Sequence, residues 1–334
     1  MTTVRERFRA ALNGEKADRL PVVEWSGIWW DKTIAEWVEQ GLPPGMNSRE
    51  TYAYFGLDRH DGYWLSPRGD DCPRPSHHGA GIIKDENDYE RLHDKIFCRD
   101  KIKIALEKIK DDKPNHESGI TPYSLTVDGY FWFPRSLLGI EGHLTAFYDR
   151  PELMRRINRD QTDFSLEFIN EALKIIKPEF MSVAEDMSYN HGPMISKEFY
   201  DIFMKPYYLQ IIPVMKEYGA KVLIDTDGFC EPMIPWYIEA GVDGVLPLER
   251  MSGVDINRIR REFPEFIMMQ GYDKTALMDK GEDAIRDEFE RIFPVMKSGW
   301  FLPSVDHQTP PGVPLKVYKR YVEMFFDYAF KAMN

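Results

Sequence analysis

Short apolar runs that end in polar residues recur through the second half of the chain. The run at 221–228 reads KVLIDTDG, so a buried strand would end at Asp225 and Asp227. Similar runs lie at 180–187, 244–250, 266–273 and 299–307, and they end in Glu185, Asp186, Glu249, Gln270, Asp273, Asp306 and His307. Because the carboxyl ends of parallel strands form one active face, we expect these polar residues on a single rim.

Longer amphipathic segments separate these runs. They cover 194–218, 230–240, 255–263 and 281–297. Alternation of strand and helix is typical of a parallel α/β protein, and a length of 334 residues suits a (β/α)8 TIM barrel. We therefore predict one α/β domain over residues 1–334, a (β/α)8 barrel with an N-terminal helical extension and insertions.

The first third of the chain supplies further predicted elements. Residues 5–12 form an amphipathic helix, and 18–25 form a first strand. The segment 66–80 is rich in proline and glycine, which predicts an irregular loop. It carries His77 and His78, for which solvent exposure is favoured over metal binding because no partner stands at ligand spacing.

The charge and the composition exclude several classes of function. A formal net charge of −12 disfavours nucleic acid as a partner, because a phosphate backbone would be repelled. No run reaches the roughly 18 apolar residues of a membrane span, and the N-terminus lacks the apolar core of a signal peptide. We therefore expect a cytoplasmic protein that does not bind membranes. Cys72, Cys98 and Cys230 have no Cys-x-x-Cys spacing and are expected to be free thiols.

Two aromatic stretches carry candidate substrate-binding residues. Trp25, Trp29 and Trp30 follow the predicted first strand and would line a pocket for a flat or apolar ligand, with packing in the core as the alternative. Arg135 follows the aromatic run 130–133. Its planar fork would clamp a carboxylate or phosphate there, with a structural salt bridge as the alternative.

A carboxylate pair ends the predicted strand at 180–187. Glu185 and Asp186 are adjacent, and two acids in one cleft have their pKa values pushed apart, which suits acid–base chemistry. The residues expected beside them, as part of the substrate-binding surface, are Tyr189, Asn190 and His191.

Taken together, these segments resemble the uroporphyrinogen decarboxylase superfamily, whose members include the authentic decarboxylase and the cobamide-dependent methyltransferases. The resemblance covers most of the chain and implies a (β/α)8 barrel. The segments that carry it are 7–14 with 18–21, 185–196, 240–244, Gln270-Gly271 with Asp273, and Asp306-His307 with Pro310 and Pro314.

Two departures from the patterns of this superfamily direct the functional prediction. The authentic decarboxylase has an Arg-Gln-Ala-Gly-Arg stretch that grips the carboxylates of a porphyrinogen, whereas this chain reads EWSGIWWD at 24–31. The methyltransferase branch has a His-x-Cys zinc pair and a later cysteine. Here the pair falls on Asp225 and Asp227, and the cysteine falls near His307. The resemblance therefore places the chain nearer the methyltransferase branch.

The same comparison implies a metal site at Asp225, Asp227 and His307. Zinc is the simplest choice, since it accepts carboxylate oxygen and imidazole nitrogen as well as sulfur. Glu185 would be a fourth ligand or a general acid. A site that has lost its metal, with the carboxylates used for proton transfer or substrate binding, is the alternative.

The leading functional prediction is a corrinoid-dependent methyltransferase that demethylates a small substrate with the help of the metal. A partner protein would supply the corrinoid. One alternative is a decarboxylase or lyase of the uroporphyrinogen decarboxylase type that acts on a smaller acid, with Arg135 holding a carboxylate. The other is a non-catalytic barrel that binds a corrinoid or a tetrapyrrole. In the enzymatic predictions the catalytic residues are Glu185, Asp186, Asp225 and His307.

Overall fold

The structure, a computed structural model, describes residues 2–24, 29–278 and 280–334. Its strands are β1 (Asp61–Leu65), β2 (Tyr123–Asp128), β3 (Phe180–Ala184), β4 (Ser188–Tyr189), β5 (Gly192–Pro193), β6 (Lys221–Asp225), β7 (Gly244–Leu246), β8 (Ile267–Met269) and β9 (Phe301–Leu302). Each of the five runs predicted at 180–187, 221–228, 244–250, 266–273 and 299–307 therefore contains a strand. The prediction of these strands is confirmed.

Helices alternate with the strands along most of the chain. They are α1 (Val4–Asn13), α2 (Asp31–Glu39), α3 (Ser48–Phe55), α4 (Glu86–Ile96), α5 (Arg99–Glu117), α6 (Trp132–Leu138), α7 (Ile140–Asp149), α8 (Pro151–Ile175), α9 (Lys197–Phe203), α10 (Lys205–Lys216), α11 (Ile234–Glu239), α12 (Ile256–Glu262), α13 (Glu282–Met296) and α14 (Leu315–Met333). None of the described helices combines the length and the apolar composition needed to cross a bilayer.

Seven of the described strands form one parallel sheet in the order β1-β2-β3-β6-β7-β8-β9. The sheet curls, because residues of β1 at one edge and residues that follow β9 at the other edge line the same cavity. The remaining two strands, β4 and β5, pair as a short antiparallel hairpin just after β3. The architecture is α/β with a parallel sheet, which confirms the predicted fold class.

The predicted first strand is the main departure from the expected barrel. Residues 18–24, the described part of that segment, form no strand. They still lie between the two edges of the sheet: the Val22 carbonyl accepts a hydrogen bond from the Asp58 N–H (2.8 Å), and the Glu24 carboxylate accepts one from the Thr309 N–H (3.2 Å). An eighth strand is therefore not confirmed within the described residues. The segment nevertheless precedes β1 in the chain, where the first strand of the predicted barrel would lie.

Strand register decides which residues face the interior of the curled sheet. Directly paired residues of neighbouring parallel strands point to the same face, and successive residues alternate between faces. Thr126 pairs with Ser182, and their hydroxyl oxygens are 2.8 Å apart. Ala184 pairs with Asp225 in the same way. The inner face thus carries small polar side chains, while the outer face packs against the helices.

Candidate functional site

A cavity of about 470 Å³ lies inside the curled sheet. This inner cavity is bounded by Ser124 and Thr126 of β2, Ser182 of β3, Asp225 of β6, and Gln270 and His307 after β8 and β9. Its volume falls in the range of small-molecule sites, and its polar lining supplies hydrogen-bonding groups. Of the rim residues predicted from the sequence, Asp225, Gln270 and His307 line this cavity, which also reaches Asp61 at the amino end of β1.

Three carboxylates converge beside this cavity. Burial raises the pKa of Asp225 well above its ordinary value, and the neighbouring charges of Asp186 and Asp227 raise it further. Burial also raises the pKa of Asp227 to about 7, with Asp186 and Glu249 adding to the effect. Like charges at short range cannot all ionise easily, so Asp225 and Asp227 keep their protons to a higher pH than an isolated aspartate does. Asp186, Asp225 and Asp227 form what we call the acid cluster.

His307 borders the acid cluster. Its Nε2 lies 3.9 Å from an Asp227 carboxylate oxygen, and burial lowers its pKa. The backbone carbonyl of His307 accepts a hydrogen bond from the Gln270 side-chain amide (2.7 Å). The imidazole therefore lies close to the acids. The hydrogen bond from Gln270, which follows β8, holds the loop that carries His307.

Strained backbone is concentrated at this site. Asp186, Gln270 and His307 have φ values of 43°, 73° and 79°, and they are three of the four non-glycine residues with positive φ in the described ranges. Side chains other than glycine adopt this conformation at a cost, typically about 1–3 kcal/mol each, and such residues gather at functional sites. The strain supports a functional role for this rim.

Arg135 lies against the acid cluster. Its guanidinium donates to the backbone oxygen of Asp186 (3.0 Å) and to the Asp186 carboxylate (3.2 Å). It also lies 4.7 Å from the centre of the Trp132 ring. The structure thus shows the salt bridge that was the alternative for Arg135, and the residue also borders a second, larger cavity. Its role as a clamp for a carboxylate or phosphate stays a prediction.

Glu185 is adjacent to Asp186, but it faces away from the inner cavity. Its carboxylate is fully buried and accepts hydrogen bonds from the N–H groups of Tyr130 (2.8 Å) and Phe131 (2.7 Å), and from the Tyr208 hydroxyl. A Cβ at Gly129 would lie 2.2 Å from this carboxyl group, so the close approach requires glycine. Its predicted role as catalytic acid or metal ligand stays a prediction, and the contacts favour a structural role.

Two further strand-end acids make similar contacts. Glu249 accepts a hydrogen bond from the Gly228 N–H (2.9 Å), in the loop after the neighbouring strand β6. Asp306 is buried and accepts from the N–H groups of Arg250 (2.8 Å) and Lys274 (3.2 Å), in the loops after β7 and the neighbouring β8. We call these contacts carboxylate–amide ties; they are made by Glu24, Glu185, Glu249 and Asp306. They join the loops around the rim to one another.

The other predicted binding residues lie in two different places. Trp29 is buried and packs against Trp37, Tyr52 and Tyr318, with ring centres 5.4–6.2 Å apart. This corrects its prediction as a pocket residue, because the side chain is part of the aromatic core. Trp25 lies outside the described residues.

Tyr189, Asn190 and His191 form the tip of the β4–β5 hairpin and are exposed. The Asn190 side-chain oxygen accepts a hydrogen bond from the Ser252 hydroxyl (3.1 Å), which links the hairpin to the loop after β7. These three residues are not among those that line the inner cavity. Their predicted contact with substrate stays a prediction.

The predicted zinc ligands are close to one another but are not arranged as a metal centre. Within the described part of the chain, no group of three or more His, Cys, Asp and Glu side chains is placed to hold a metal ion. The separation of 3.9 Å between His307 and Asp227 is an ion-pair distance. Zinc binding at Asp225, Asp227 and His307 would therefore require side-chain movement, and it stays a prediction.

Several inner-cavity residues were not singled out from the sequence. Ser124, Thr126 and Asp128 alternate along β2, and this alternation of polar residues at a period of two was the available signal. Asp128 accepts a hydrogen bond from the Trp64 indole N–H (2.7 Å), and burial raises its pKa to about 6. The inner face thus carries a buried acid on β2 besides the acid cluster.

Comparisons with known proteins place this chain in a family. The family model of uroporphyrinogen decarboxylase (URO-D) matches residues 85–328, whereas no curated protein matches the chain. A solved methyltransferase from Methanosarcina mazei is 15% identical with a TM-score of 0.67, and the match covers 98% of this chain and 99% of that chain. A candidate vitamin-B12 independent methionine synthase from Listeria monocytogenes is 10% identical with a TM-score of 0.45, over 94% and 96% of the two chains. The Methanosarcina likeness shows a shared fold, and the family match shows that the chain belongs to the uroporphyrinogen decarboxylase (URO-D) family.

Proposed function

We propose that this protein is a methyltransferase that removes a methyl group from a small substrate and delivers it to a corrinoid held by a partner protein. The observation that carries the proposal is the convergence of Asp186, Asp225 and Asp227 with His307 at the edge of the inner cavity. The URO-D family match and the shared fold with a methyltransferase agree with this class of reaction.

The acid cluster suits the step in which a methyl group leaves oxygen or nitrogen. The bond from the methyl carbon to the heteroatom breaks, and its electron pair stays on the heteroatom, which then needs a proton. Asp225 lines the cavity and stands beside two other carboxylates, so it is placed to hold that proton and donate it. General acids of this kind contribute roughly 10²–10⁴-fold to a rate. The corrinoid would supply the nucleophile that accepts the methyl group.

The other residues position the substrate. Ser124, Thr126 and Ser182 offer hydroxyl groups from the inner face, and Gln270 and His307 close the cavity on the opposite side. A volume of about 470 Å³ admits a small substrate. A corrinoid on a partner protein would approach from the rim.

A metal ion is a separate part of the proposal. Asp225, Asp227 and His307 would be its ligands after side-chain movement, and the metal would act as a Lewis acid on the heteroatom. A carboxylate bound to a metal holds no proton, so the metal would replace Asp225 as the acid that acts on the heteroatom, and the proton transfer described above applies to the metal-free site.

Decarboxylation of a small acid is the second candidate. Arg135 borders the site and carries the planar fork that holds a carboxylate, which favours this reading. The carbanion left by loss of CO2 would take its proton from the acid cluster. The two candidates therefore share Asp225 and differ in the product.

The test measures methyl transfer directly. Purified protein is incubated with reduced cobalamin and a panel of methoxylated aromatics and methylamines, and methylcobalamin formation is followed by absorbance. We expect turnover with at least one substrate and a loss of 100-fold or more in Asp225→Asn. Asp149→Asn, an exposed acid on α7, is the matched control and should retain full activity.

The absence of methylcobalamin with every substrate would count against methyl transfer. Full activity in Asp225→Asn would leave methyl transfer standing and would count against Asp225 as the acid. Release of CO2 from a panel of small aromatic and aliphatic acids, lost in the same variant, would instead support the decarboxylase.

A further inference from the structure

We infer that a second cavity next to the site binds the phosphate group of an organic ligand. This loop cavity has a volume of about 920 Å³ and shares Tyr63 and Trp64 with the inner cavity. The two cavities are therefore neighbours, and a ligand in one borders the other.

The charge of the loop cavity is opposite to that of the chain. Its lining includes four cationic residues, Arg68, Arg74, Lys101 and Arg135, against one acid among the described lining residues, Asp70. The whole chain carries a formal net charge of −12. A basic cavity on an acidic protein concentrates anions locally, because the low-dielectric walls focus the field.

Two of these cations form no hydrogen bond or salt bridge within the described residues, although the charge of Arg68 acts on Asp128 and that of Arg74 acts on Asp70. Lys101 forms an ion pair with Asp70 (2.5 Å), and Arg135 forms one with Asp186 (3.2 Å). Within the described part of the chain, neither Arg68 nor Arg74 forms a hydrogen bond or an ion pair. Two guanidinium groups are therefore available to a ligand.

The loop that carries both arginines is fixed at its ends. The Pro67 carbonyl accepts a hydrogen bond from the Cys98 N–H (2.9 Å), and the Gly69 N–H donates to the Lys95 carbonyl (2.8 Å). At the other end the Gly79 carbonyl accepts from the Ile140 N–H (3.0 Å). The segment between these anchors therefore holds Arg68 and Arg74 against the cavity.

The chemistry of these groups favours phosphate over a single carboxylate. Two unpaired guanidinium groups match the charge of about −2 on a phosphate monoester, and each presents the planar fork that phosphate oxygens accept. A lone carboxylate would leave one positive charge without a partner. The aromatic faces of Tyr63, Trp64 and Trp132 would contact a flat or apolar body attached to the phosphate.

In the proposed reaction, the loop cavity would hold the phosphate end of the substrate while its methyl group reaches the acid cluster. That role rests on the proposed function. Phosphate binding itself does not, since it requires only the arginines and the aromatic walls.

Isothermal titration calorimetry at constant ionic strength tests the site with three probes: inorganic phosphate, phenyl phosphate and benzoate. We expect phenyl phosphate to bind more tightly than either of the others. The double variant Arg68→Gln/Arg74→Gln should raise the dissociation constant of phenyl phosphate by tenfold or more. The control Arg261→Gln/Lys316→Gln makes the same change in net charge at exposed positions outside the cavity. Its dissociation constant for phenyl phosphate should stay within twofold of the wild-type value.

Circular dichroism shows whether each variant is folded. If the glutamine variant does not fold, Arg68→Lys/Arg74→Lys replaces it; charge is kept but the fork is lost, so affinity should fall by a smaller factor. The phosphate site is wrong if wild type does not bind phenyl phosphate at millimolar concentration, if benzoate binds as tightly, or if the control loses as much affinity as the double variant. Because binding is measured without turnover, absence of methyl transfer would leave this result unchanged.

Discussion

Arg135 and Asp186 are joined by two hydrogen bonds, one to the backbone oxygen of Asp186 and one to its carboxylate. Asp186 adopts a positive φ of 43°, so the guanidinium braces a residue whose backbone is strained. The same guanidinium borders the loop cavity. Arg135 therefore connects the acid cluster to the place where we infer that an anion binds.

Arg135→Ala should weaken anion binding. Loss of a charge-assisted hydrogen bond costs about 1.5–3 kcal/mol, which corresponds to tenfold or more in the dissociation constant. Titration of phenyl phosphate measures this change. Arg135→Lys should restore only part of the affinity, because an ammonium group lacks the fork. Wild-type affinity in a folded Arg135→Ala protein would show that the residue is purely structural.

Glu185→Gln should destabilise the protein, whereas Asp225→Asn should not. The Glu185 carboxylate accepts from Tyr130, Phe131 and Tyr208, and an amide nitrogen cannot accept, so one buried donor would lose its partner at a cost of about 1–3 kcal/mol. Asp225 faces other carboxylates, and burial raises its pKa well above the ordinary value, so its charge costs stability near neutral pH and the neutral amide should leave stability unchanged or raise it. Urea unfolding followed by circular dichroism measures both.

Activity separates the two residues further. Under the proposed function, Asp225→Asn is folded but inactive. Glu185→Gln should keep measurable turnover at a temperature where it is fully folded. An inactive Glu185→Gln protein with wild-type stability would instead place Glu185 among the catalytic residues.

Asp128 should make stability depend on pH. Burial raises its pKa to about 6, although the Trp64 hydrogen bond and the charge of Arg68 oppose part of that shift. Between about pH 4 and pH 6 the folded protein keeps this proton while the unfolded chain releases it, so the free energy of unfolding falls as pH rises through that window. Over this window the free energy of unfolding falls by about 3 kcal/mol in total, the value for a pKa difference of roughly two units between the folded and unfolded states.

Asp128→Asn should remove this dependence. The amide oxygen still accepts from Trp64, and no charge has to be buried above pH 6. The variant should match wild type near pH 4 and exceed its stability near pH 8 by up to about 3 kcal/mol. Unfolding curves at several pH values measure the difference. Equal stability of the two proteins across this range would mean that Asp128 titrates normally when folded.

Zinc binding at Asp225, Asp227 and His307 can be tested directly by elemental analysis. Protein equilibrated with excess zinc and then dialysed should retain about one equivalent by elemental analysis if these residues form a site. Asp225→Asn and His307→Ala should each lose that metal, whereas Asp149→Asn should keep it. A wild-type protein that retains no zinc contradicts the site.

Apolar runs predicted burial better than they predicted strand pairing. The runs around β3, β6 and β9 became strands because neighbouring runs supplied their hydrogen bonds. At 18–24 the apolar residues Leu20, Val22 and Val23 are equally buried, yet the described segment forms no ladder. Hydrophobicity indicates which residues leave water, whereas a strand also requires backbone partners in register.

Register explains why acids with the same local pattern have different surroundings. Glu185 and Asp225 both come at the end of an apolar run, and the sequence gives no reason to separate them. Ala184 is the residue paired with Asp225, so Glu185, one position later, points to the opposite face. It therefore meets Tyr208 of α10 instead of the cavity. Pairing between distant strands is not visible in either segment alone.

The carboxylate–amide tie made by Glu24 has a consequence for the order of events during synthesis. Its partners Thr309 and Tyr318 lie 285 and 294 residues later in the chain. Closing so long a loop is entropically costly, and the Thr309 contact cannot form until residue 309 has left the ribosome, nor the Tyr318 contact until residue 318 has done so. A sheet that forms earlier on the nascent chain would therefore lack this tie until residue 318 emerges. Protease sensitivity of stalled chains should fall sharply once that residue emerges, and Glu24→Ala should delay the fall.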